Sequence, residues 1–228
     1  HSMLRRIFQD VVDGVSVDYE QRRMLEAAGV NKEYTCVKMR LSSRFAKLPL
    51  GYICNKIETL FPKSIAFERK GDSLCFVETE SMRGKGGAYW EKLRESLALF
   101  INSMDLQVGV SDPFDDLYRA RLYYHQASAA LENGSLVNPA EKYYVFQAYA
   151  LTEMIINSLG KLPTELFFTD GMRRIAEHDA NAPVSYMETL RAYLNNNMSI
   201  TKTAADLFVH RSTLLERIAR IERELGTS

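Results

Sequence analysis

The chain has 228 residues, of which 46% are hydrophobic and 25% charged, and its 29 basic and 29 acidic side chains give a formal net charge of zero. This composition is typical of one or two globular domains and excludes a disordered or collagen-like polypeptide. Because the chain carries no excess of positive charge, it can bind nucleic acid only through a face that is locally basic.

The sequence shows no segment for export or membrane insertion. No apolar run approaches the roughly 20 residues that span a bilayer, and no signal peptide is apparent. The three cysteines, Cys36, Cys54 and Cys75, form no C-x-x-C pair and lie in apolar runs, which favours reduced thiols over disulfides or a zinc site. We therefore expect a cytoplasmic protein that does not associate with a membrane.

Two helices are predicted in residues 1–30, which we assign as an N-terminal helical linker. The first has an apolar stripe of Leu4, Ile7, Phe8, Val11, Val12 and Val15. His1-Ser2 has the character of an expression remnant, and two alternatives are open: the helix packs on its own domain, or it is a signalling helix left from a longer protein. Asp18 with Gln21 predicts a capping box for the second helix, which Gly29 would end.

Residues 31–135 follow a different pattern, and we assign them to an α/β domain. Alternating or helical spacing of apolar residues predicts a strand over 34–41, a helix over 50–61, strands over 65–68 and 74–77, a helix over 90–104, a strand over 106–110, a turn at 111–114 and a helix over 117–131 that Asn133-Gly134 ends. This order predicts an α+β fold built on a ferredoxin-like βαββαβ unit, with its helices on one face of the sheet.

Residues 136–180 are predicted to be a helical spacer. A helix over 143–159 is apolar on several faces, which predicts burial between layers or between subunits and makes it a candidate dimer contact. A short helix follows near Gly171 to His178. Five tyrosines lie in and before this segment, and they either belong to the core or line a ligand pocket: Tyr123, Tyr124, Tyr143, Tyr144 and Tyr149.

Residues 181–228 read as three helices with a tight turn between the last two. The helices are expected near 185–196, 201–208 and 211–225, and Val209-His210 forms the turn. Small residues are needed where two such helices cross, and Ala204 and Ala205 provide them. Val209 is the apolar residue that fills the corner. This is the helix-turn-helix arrangement, whose second helix enters the major groove of DNA.

Apolar spacing alone would also fit an αα-hairpin that caps a core, but the polar residues favour DNA. They cluster around the turn and are the candidate DNA-binding residues: Thr201, Lys202, His210, Arg211, Ser212, Thr213, Arg217 and Arg220. We expect either Ser212 or Thr213 to cap the third helix. No metal site is predicted, and no cofactor is indicated.

The segment TAADLFVHRSTLLERIARIERELG, with TLRAYL before it, resembles the C-terminal helix-turn-helix of PucR/CdaR-type bacterial transcription regulators, which is similar to the Fis-type motif. The resemblance covers about the last forty residues. It implies DNA contacts by Arg211 and Arg217, with His210 and Thr213 positioning the helix. One departure is that Leu215 and Glu216 follow the Thr-Leu pair, where family members usually carry a basic residue.

The segment KGDSLCFV resembles the hairpin and following strand of a GGDEF domain, which PucR/CdaR regulators also carry, and GVSDPFDDLYRARLYYHQASAALENG fits that family. A diguanylate cyclase needs carboxylates on its first strand and in this hairpin to hold two metal ions. The first strand here has none, Lys70 replaces the first glycine and Ser73 replaces an acid. We therefore interpret 31–135 as a degenerate, non-catalytic nucleotide-cyclase-like domain.

These observations predict a sequence-specific transcription regulator of the PucR/CdaR type that is not an enzyme. Its expected partners are double-stranded DNA and a second copy of the chain. The resemblance implies control of catabolic genes in response to a small metabolite, which would act through this chain or through a missing N-terminal domain. Two alternatives are a nucleotide-binding or nucleotide-cyclase-like enzyme and a protein-interaction adaptor.

Overall fold

The computed structural model describes residues 2–27, 32–42, 48–79, 89–160 and 164–226. The chain divides into two compact units, an α/β unit (His1–Ser158) and a helical unit (Leu159–Ser228). The predicted end of the second helix at Gly29 lies outside the described residues.

The secondary structure of the α/β unit alternates between helices and the strands of one sheet. Its elements are α1 (Ser2–Asp13), α2 (Tyr19–Ala27), β1 (Tyr34–Leu41), α3 (Leu50–Leu60), β2 (Ile65–Arg69), β3 (Asp72–Glu78), α4 (Tyr89–Met104), β4 (Leu106–Phe114), α5 (Ala120–Val137), β5 (Tyr143–Val145) and α6 (Phe146–Leu159). The capping box is confirmed, because the Gln21 amide donates to Asp18 Oδ1 at 2.8 Å and the Asp18 amide donates to Gln21 Oε1 at 3.0 Å.

The five strands form one mixed sheet in the order β2-β3-β1-β4-β5. All neighbours are antiparallel except β4 and β5, which are parallel. The β2–β3 hairpin closes through a two-residue turn at Lys70-Gly71, where φ is +49° and +82°. Two successive positive φ angles suit the right-handed twist of the flanking strands. The mixed α+β architecture expected from the sequence is thus present.

Helices cover both faces of this sheet, which corrects the prediction of a single covered face. Val37 and Met39 of β1 pack beneath α3 and α4, whereas Tyr34 and Cys36 pack on the opposite face with α1 and α5. Phe8 of α1 stacks on Phe76 of β3, with 4.4 Å between the ring centroids. The first helix is therefore part of this core, and the proposed linker at 1–30 does not stand apart from the α/β unit.

The largest differences from the predicted elements concern β4, α5 and residues 143–145. The strand β4 continues through the expected turn to Phe114, because its last residues pair with the start of β1. The helix α5 continues through Gly134, where a Cβ atom would overlap the Tyr144 ring. Gly134 therefore allows close packing and does not end the helix. Residues Tyr143–Val145 were expected to be helical but pair with Val108–Val110 as a strand.

The α6 helix is less buried than its apolar sequence predicts. Tyr149 is buried, but Leu151, Met154, Ile155 and Ile156 are exposed.

Among the residues that the structure describes, no helix combines the length and apolar character needed to cross a bilayer. The three cysteines are buried and unpaired, as expected, and burial raises the pKa of the Cys36 thiol.

The helical unit contains four α-helices around a small core. They are α7 (Asp170–Asn181), α8 (Tyr186–Asn195), α9 (Ile200–Asp206) and α10 (Arg211–Leu225). Ile175, Tyr186, Ala204, Leu214, Ile218 and Ile221 form the buried centre. Since α7 contributes Ile175 to this core, the predicted spacer 136–180 is shared between the two units. The predicted domain start at residue 181 falls at the last residue of α7.

Candidate nucleic-acid interface

The carboxylate of Asp179, near the end of α7, joins this helix to the start of α8. Asp179 Oδ1 accepts from the Tyr186 amide at 2.7 Å, and Oδ2 accepts from the Met187 amide at 2.9 Å and the Ser185 hydroxyl at 2.6 Å. Burial alone would raise the pKa of Asp179, but hydrogen bonds from Ser185, Met187, Tyr186 and His178 lower it to about 2. The negative charge thus lies at the N-terminus of α8, where a helix favours an anion.

Replacing Asp179 by alanine should lower the free energy of unfolding of the helical unit by about 1–2 kcal/mol, the usual effect of losing a helix cap. Because folding lowers the pKa of Asp179 to about 2, its stabilising effect is complete near neutral pH and is lost as the pH falls from about 4 towards 2. Hydrogen exchange of the α8 amides at several pH values measures this dependence.

The matched control is Asp170→Ala, because Asp170 is an exposed carboxylate of the same unit whose one ion pair, with Arg173, is 3.4 Å long. Its removal should change the stability by less than about 0.5 kcal/mol. Equal losses in the two variants, or a loss at Asp179 that persists unchanged at pH 2, would contradict the assigned role.

The position of α10 depends on a close approach of its C-terminal end to α7. A Cβ atom on Gly171 would lie 2.7 Å from the Cα atom of Leu225, so a larger residue would push the two helices apart. The Arg174 guanidinium also donates to the carbonyl of Glu224 at 3.1 Å. Together these contacts fix the helix that the sequence predicts to read DNA.

The turn between α9 and α10 is a Schellman motif. The Phe208 amide donates to the Ala205 carbonyl at 3.2 Å, and the Val209 amide donates to the Ala204 carbonyl at 3.0 Å. Val209 packs on the core together with Ala204, as expected for the corner residue. Ala205, however, is exposed, which corrects its predicted place at the helix crossing. It follows Ala204 directly, and neighbouring residues of a helix do not share a face.

The N-terminus of α10 is capped by a histidine. His210 Nδ1 accepts from the Ser212 amide at 3.4 Å and lies 2.8 Å from the Ser212 hydroxyl. This corrects the expectation that Ser212 or Thr213 would be the cap. Residue type does not predict this cap, because histidine is not among the residues that usually cap helices. As a result, the Thr213 side chain is free of that role and is exposed.

The turn and the start of α9 and α10 bring seven of the eight predicted residues to the surface. All are exposed, and they are Thr201, Lys202, His210, Arg211, Ser212, Thr213 and Arg220. Within the part of the chain that the structure describes, Lys202, Arg211 and Arg220 form no ion pair, so their charges remain available to an anionic partner. The segment 207–215 carries Arg211 and no acidic residue, and the exposed acids Asp206 and Glu216 flank it.

Arg217 differs from the other seven. It is half-buried, and its Nη1 donates to the hydroxyl of Thr189 on α8 at 3.1 Å. Thr189 is itself buried and donates to the Ser185 carbonyl at 2.8 Å. Arg217 therefore connects α10 to α8, and the sequence does not predict this link because it depends on a residue 28 positions away.

The hairpin that resembles a GGDEF motif holds its one acid in a buried ion cluster. Asp72 Oδ2 lies 3.2 Å from Lys38 Nζ, and Asp72 Oδ1 accepts from Arg40 Nε at 3.2 Å. Lys38 also donates to the Ser128 hydroxyl at 3.2 Å. Lys38 and Arg40, both on β1, thus neutralise the charge of the Asp72 carboxylate. Among the described residues no group of acids, histidines or cysteines is arranged to hold a metal ion.

Comparison with known families matches both units. Residues 186–228 match the PucR C-terminal helix-turn-helix domain, and residues 24–132 match the GGDEF-like domain. The chain carries a PucR-type helix-turn-helix domain and a GGDEF-like domain. The resemblance read from the sequence is therefore confirmed. The helix-turn-helix match begins at the first residue of α8 and includes α9 and α10.

A curated relative is the purine catabolism regulatory protein of Bacillus subtilis (strain 168), which is 28% identical over 152 residues. The match covers 61% of this chain and only 28% of the relative. Among solved structures, a regulator of polyketide synthase expression from Bifidobacterium adolescentis aligns with a TM-score of 0.46 and 12% identity, covering 99% of this chain and 86% of that chain.

Proposed function

We propose that the chain is a sequence-specific, DNA-binding transcription regulator whose helical unit reads the duplex. The observation that carries the proposal is the exposed polar surface around the α9–α10 turn, where Lys202, Arg211 and Arg220 form no ion pair among the described residues. This surface lies within the segment that matches the PucR helix-turn-helix domain. A DNA-reading protein acts where the chromosome is, so the cytoplasm of a bacterium is the expected location.

In this proposal the exposed N-terminal residues of α10 face the major groove. Arg211, the first residue of α10, and Thr213 would reach base edges or phosphates, and His210 would fix the start of the helix. Thr201 and Lys202 begin α9, where side chains and amides commonly contact phosphates. Arg217 would either leave Thr189 to reach the DNA or keep α10 in place. Arg220 lies nine residues after Arg211, about two and a half turns along α10, and would contact phosphate.

We further infer that β1 to β4, with α3 and α4, form a ferredoxin-like unit to which β5 is added. The support is the strand order β2-β3-β1-β4 with antiparallel neighbours. This unit is proposed to be non-catalytic, because Lys38 and Arg40 neutralise Asp72 and no group of acids in the described part of the chain is arranged to hold a metal ion. A GTP turnover assay with Mn²⁺ tests this point. Formation of any dinucleotide product would support the alternative of a nucleotide-cyclase-like enzyme.

The chain is proposed to act as a homodimer that associates through α6. This helix exposes Leu151, Met154 and Ile155 on one side and carries a single charged residue, Glu153, in its 14 residues. Exposed apolar side chains of this kind mark interaction sites. Because the exposed side is neutral, a second copy would meet no charge repulsion there. A dimer would also allow two half-sites to be read.

Replacing Ile155 by glutamate should convert the dimer to a monomer, because each interface would then bury two unpaired carboxylates related by symmetry. Sedimentation velocity measures the change, with a shift of at least tenfold in the dissociation constant expected. Leu122→Glu on α5 is the control, since Leu122 is equally apolar and 53% exposed but lies on another helix. A wild-type monomer, or equal effects of both variants, would contradict this interface.

The signal to which the regulator responds is proposed to be a small metabolite that controls catabolic genes. The support is that the Bacillus relative is a purine catabolism regulatory protein. Since the matched region covers 28% of that relative, the effector would act either on the α/β unit or on a part of the protein outside this chain.

The salt dependence of binding separates DNA reading from the alternative of a protein-interaction adaptor. Contacts with phosphate release counterions, so the logarithm of the binding constant should fall linearly with the logarithm of the salt concentration. With a few cations on each subunit, we expect this plot to have a negative slope of several units when binding is measured by fluorescence anisotropy. No binding to duplex DNA at 50 mM salt, combined with salt-independent binding to a protein, would support the adaptor.

A further inference from the structure

The turn of the helix-turn-helix presents a large aromatic side chain to solvent. Phe208 is 96% exposed, more than any other large hydrophobic residue among those described. It directly precedes Val209, which packs on the core, so the turn holds one apolar residue inside and one outside. The fold of the helical unit therefore does not require the Phe208 ring.

The backbone conformation at Phe208 is also unusual for a residue other than glycine. Its φ is +53°, the left-handed conformation that glycine adopts freely and that costs other residues about 1–2 kcal/mol. It occupies the position after the helix cap at which a Schellman motif usually has glycine. An exposed ring on a strained backbone does not stabilise the unit. Such outliers cluster at binding sites, where another interaction offsets their cost.

The surroundings of Phe208 indicate what the ring would meet. The exposed side chains of His210 and Arg211 follow Phe208 within three positions, and the exposed Asp206 before it accepts a hydrogen bond from Asn196. Lys202, on the preceding helix, is also exposed and makes no ion pair within the described part of the chain. A polyanion with apolar patches matches this surface better than a protein surface, which would bury these cations beside the ring at a cost.

We propose that Phe208 contacts the apolar surface of duplex DNA next to the groove that α10 reads. This inference rests on the proposed function. Two parts of the duplex offer such a surface, the C5-methyl group of thymine in the major groove and the deoxyribose faces of the backbone. The ring supplies binding free energy that does not depend on charge, which suits a chain with no net charge.

The test is Phe208→Gly in the full chain, because glycine removes the ring and also relieves the left-handed φ. The variant should be at least as stable as the wild type but bind the selected operator about tenfold or more weakly. Its salt slope should equal that of the wild type, whereas Arg211→Ala should lower the slope by about one unit. A loss of affinity with a retained slope identifies a contact that is apolar.

A matched control is Met198→Gly in the turn between α8 and α9. Met198 is 62% exposed and also has a left-handed φ, +60°, so its replacement has the same backbone effect without removing the ring. Its operator affinity should stay within twofold of the wild type. Equal losses in the two glycine variants would overturn the proposal, because the loss would then come from turn flexibility.

Substitution of each thymine in the operator by deoxyuridine distinguishes the two DNA surfaces. If the ring contacts a methyl group, one substitution weakens the wild type and leaves Phe208→Gly unaffected. If the ring contacts deoxyribose, no thymine substitution weakens the wild type selectively. Phe208→Gly still binds the operator more weakly than the wild type. Wild-type affinity in Phe208→Gly, or a changed monomer–dimer equilibrium, would overturn the proposal. Absence of specific binding by the wild type would instead overturn the proposed function.

Discussion

Arg211→Ala is expected to abolish the specific retardation of an operator fragment while leaving the helical content unchanged. Arg211 is the first residue of α10, is exposed and makes no ion pair within the described residues, so its loss removes no contact that holds the fold. A base-edge contact discriminates by about 1–3 kcal/mol, which corresponds to a loss of roughly 5- to 150-fold. Electrophoretic mobility shift and far-ultraviolet circular dichroism measure the two properties.

The control for this variant is Arg223→Ala, which removes the same charge from the same helix. Arg223 lies in the last turn of α10, where its Nε donates to the Ala219 carbonyl at 3.3 Å, far along the helix from the turn. Its affinity for the operator should remain within about twofold of the wild type. If Arg211→Ala bound as tightly as the wild type, the assignment of α10 as the reading helix would be wrong.

Asp72→Ala is expected to destabilise the α/β unit by about 3–5 kcal/mol, because it removes the closer carboxylate partner of the buried Lys38 ammonium. The other partner, the exposed Glu132, lies 3.9 Å away. The side chains of Lys38 and Asp72 are only 8% and 10% exposed, so water cannot replace the lost partner. Trp90, the single tryptophan of the chain, lies on α4 and packs against the core of this unit. Its fluorescence during urea unfolding therefore reports the stability of the α/β unit alone.

A double variant separates the charge effect from the loss of packing. Lys38→Met combined with Asp72→Ala removes both buried charges, and it should recover most of the stability that Asp72→Ala loses. The Arg40 side chain, which is 38% exposed, can remain hydrated. A loss below 1 kcal/mol in the single variant, or no recovery in the double variant, would contradict the account of Asp72 as a neutralised acid.

The parts of the fold that follow from local chemistry were predictable from the sequence. The bounds of β1 agree with the alternating pattern at Tyr34–Leu41, and those of α10 agree with the helical spacing at Arg211–Leu225. The Asp18 capping box forms as expected. In each case residues within one turn or one strand determine the structure, so periodicity and capping suffice.

The parts that depend on distant residues were not predictable. The pairing of Tyr143–Val145 with β4 needs a partner that lies more than thirty positions earlier, and the apolar sequence of α6 does not reveal which of its faces is covered. The burial of Lys38 against Ser128 of α5 depends on a second layer of helices that strand alternation cannot reveal. Long-range pairing and layer order therefore required the structure.

The candidate site likewise has features that the local sequence predicts and features that it does not. The positions of Arg211 and Thr213 at the start of an exposed helix follow from spacing and polarity. The capping role of His210, the link from Arg217 to Thr189 and the left-handed, exposed Phe208 do not. Each of these depends on backbone conformation or on a partner from another helix, and residue type alone carries no signal for them.

The central claim is that the α9–α10 turn reads a specific DNA sequence, and selection of bound duplexes from a random pool tests it most directly. We predict enrichment of one sequence with two inverted half-sites whose centres lie about one helical turn, roughly 10 base pairs, apart. The same selection with Arg211→Ala should give no enrichment. A pool that remains random after several rounds with the wild-type chain would contradict the claim.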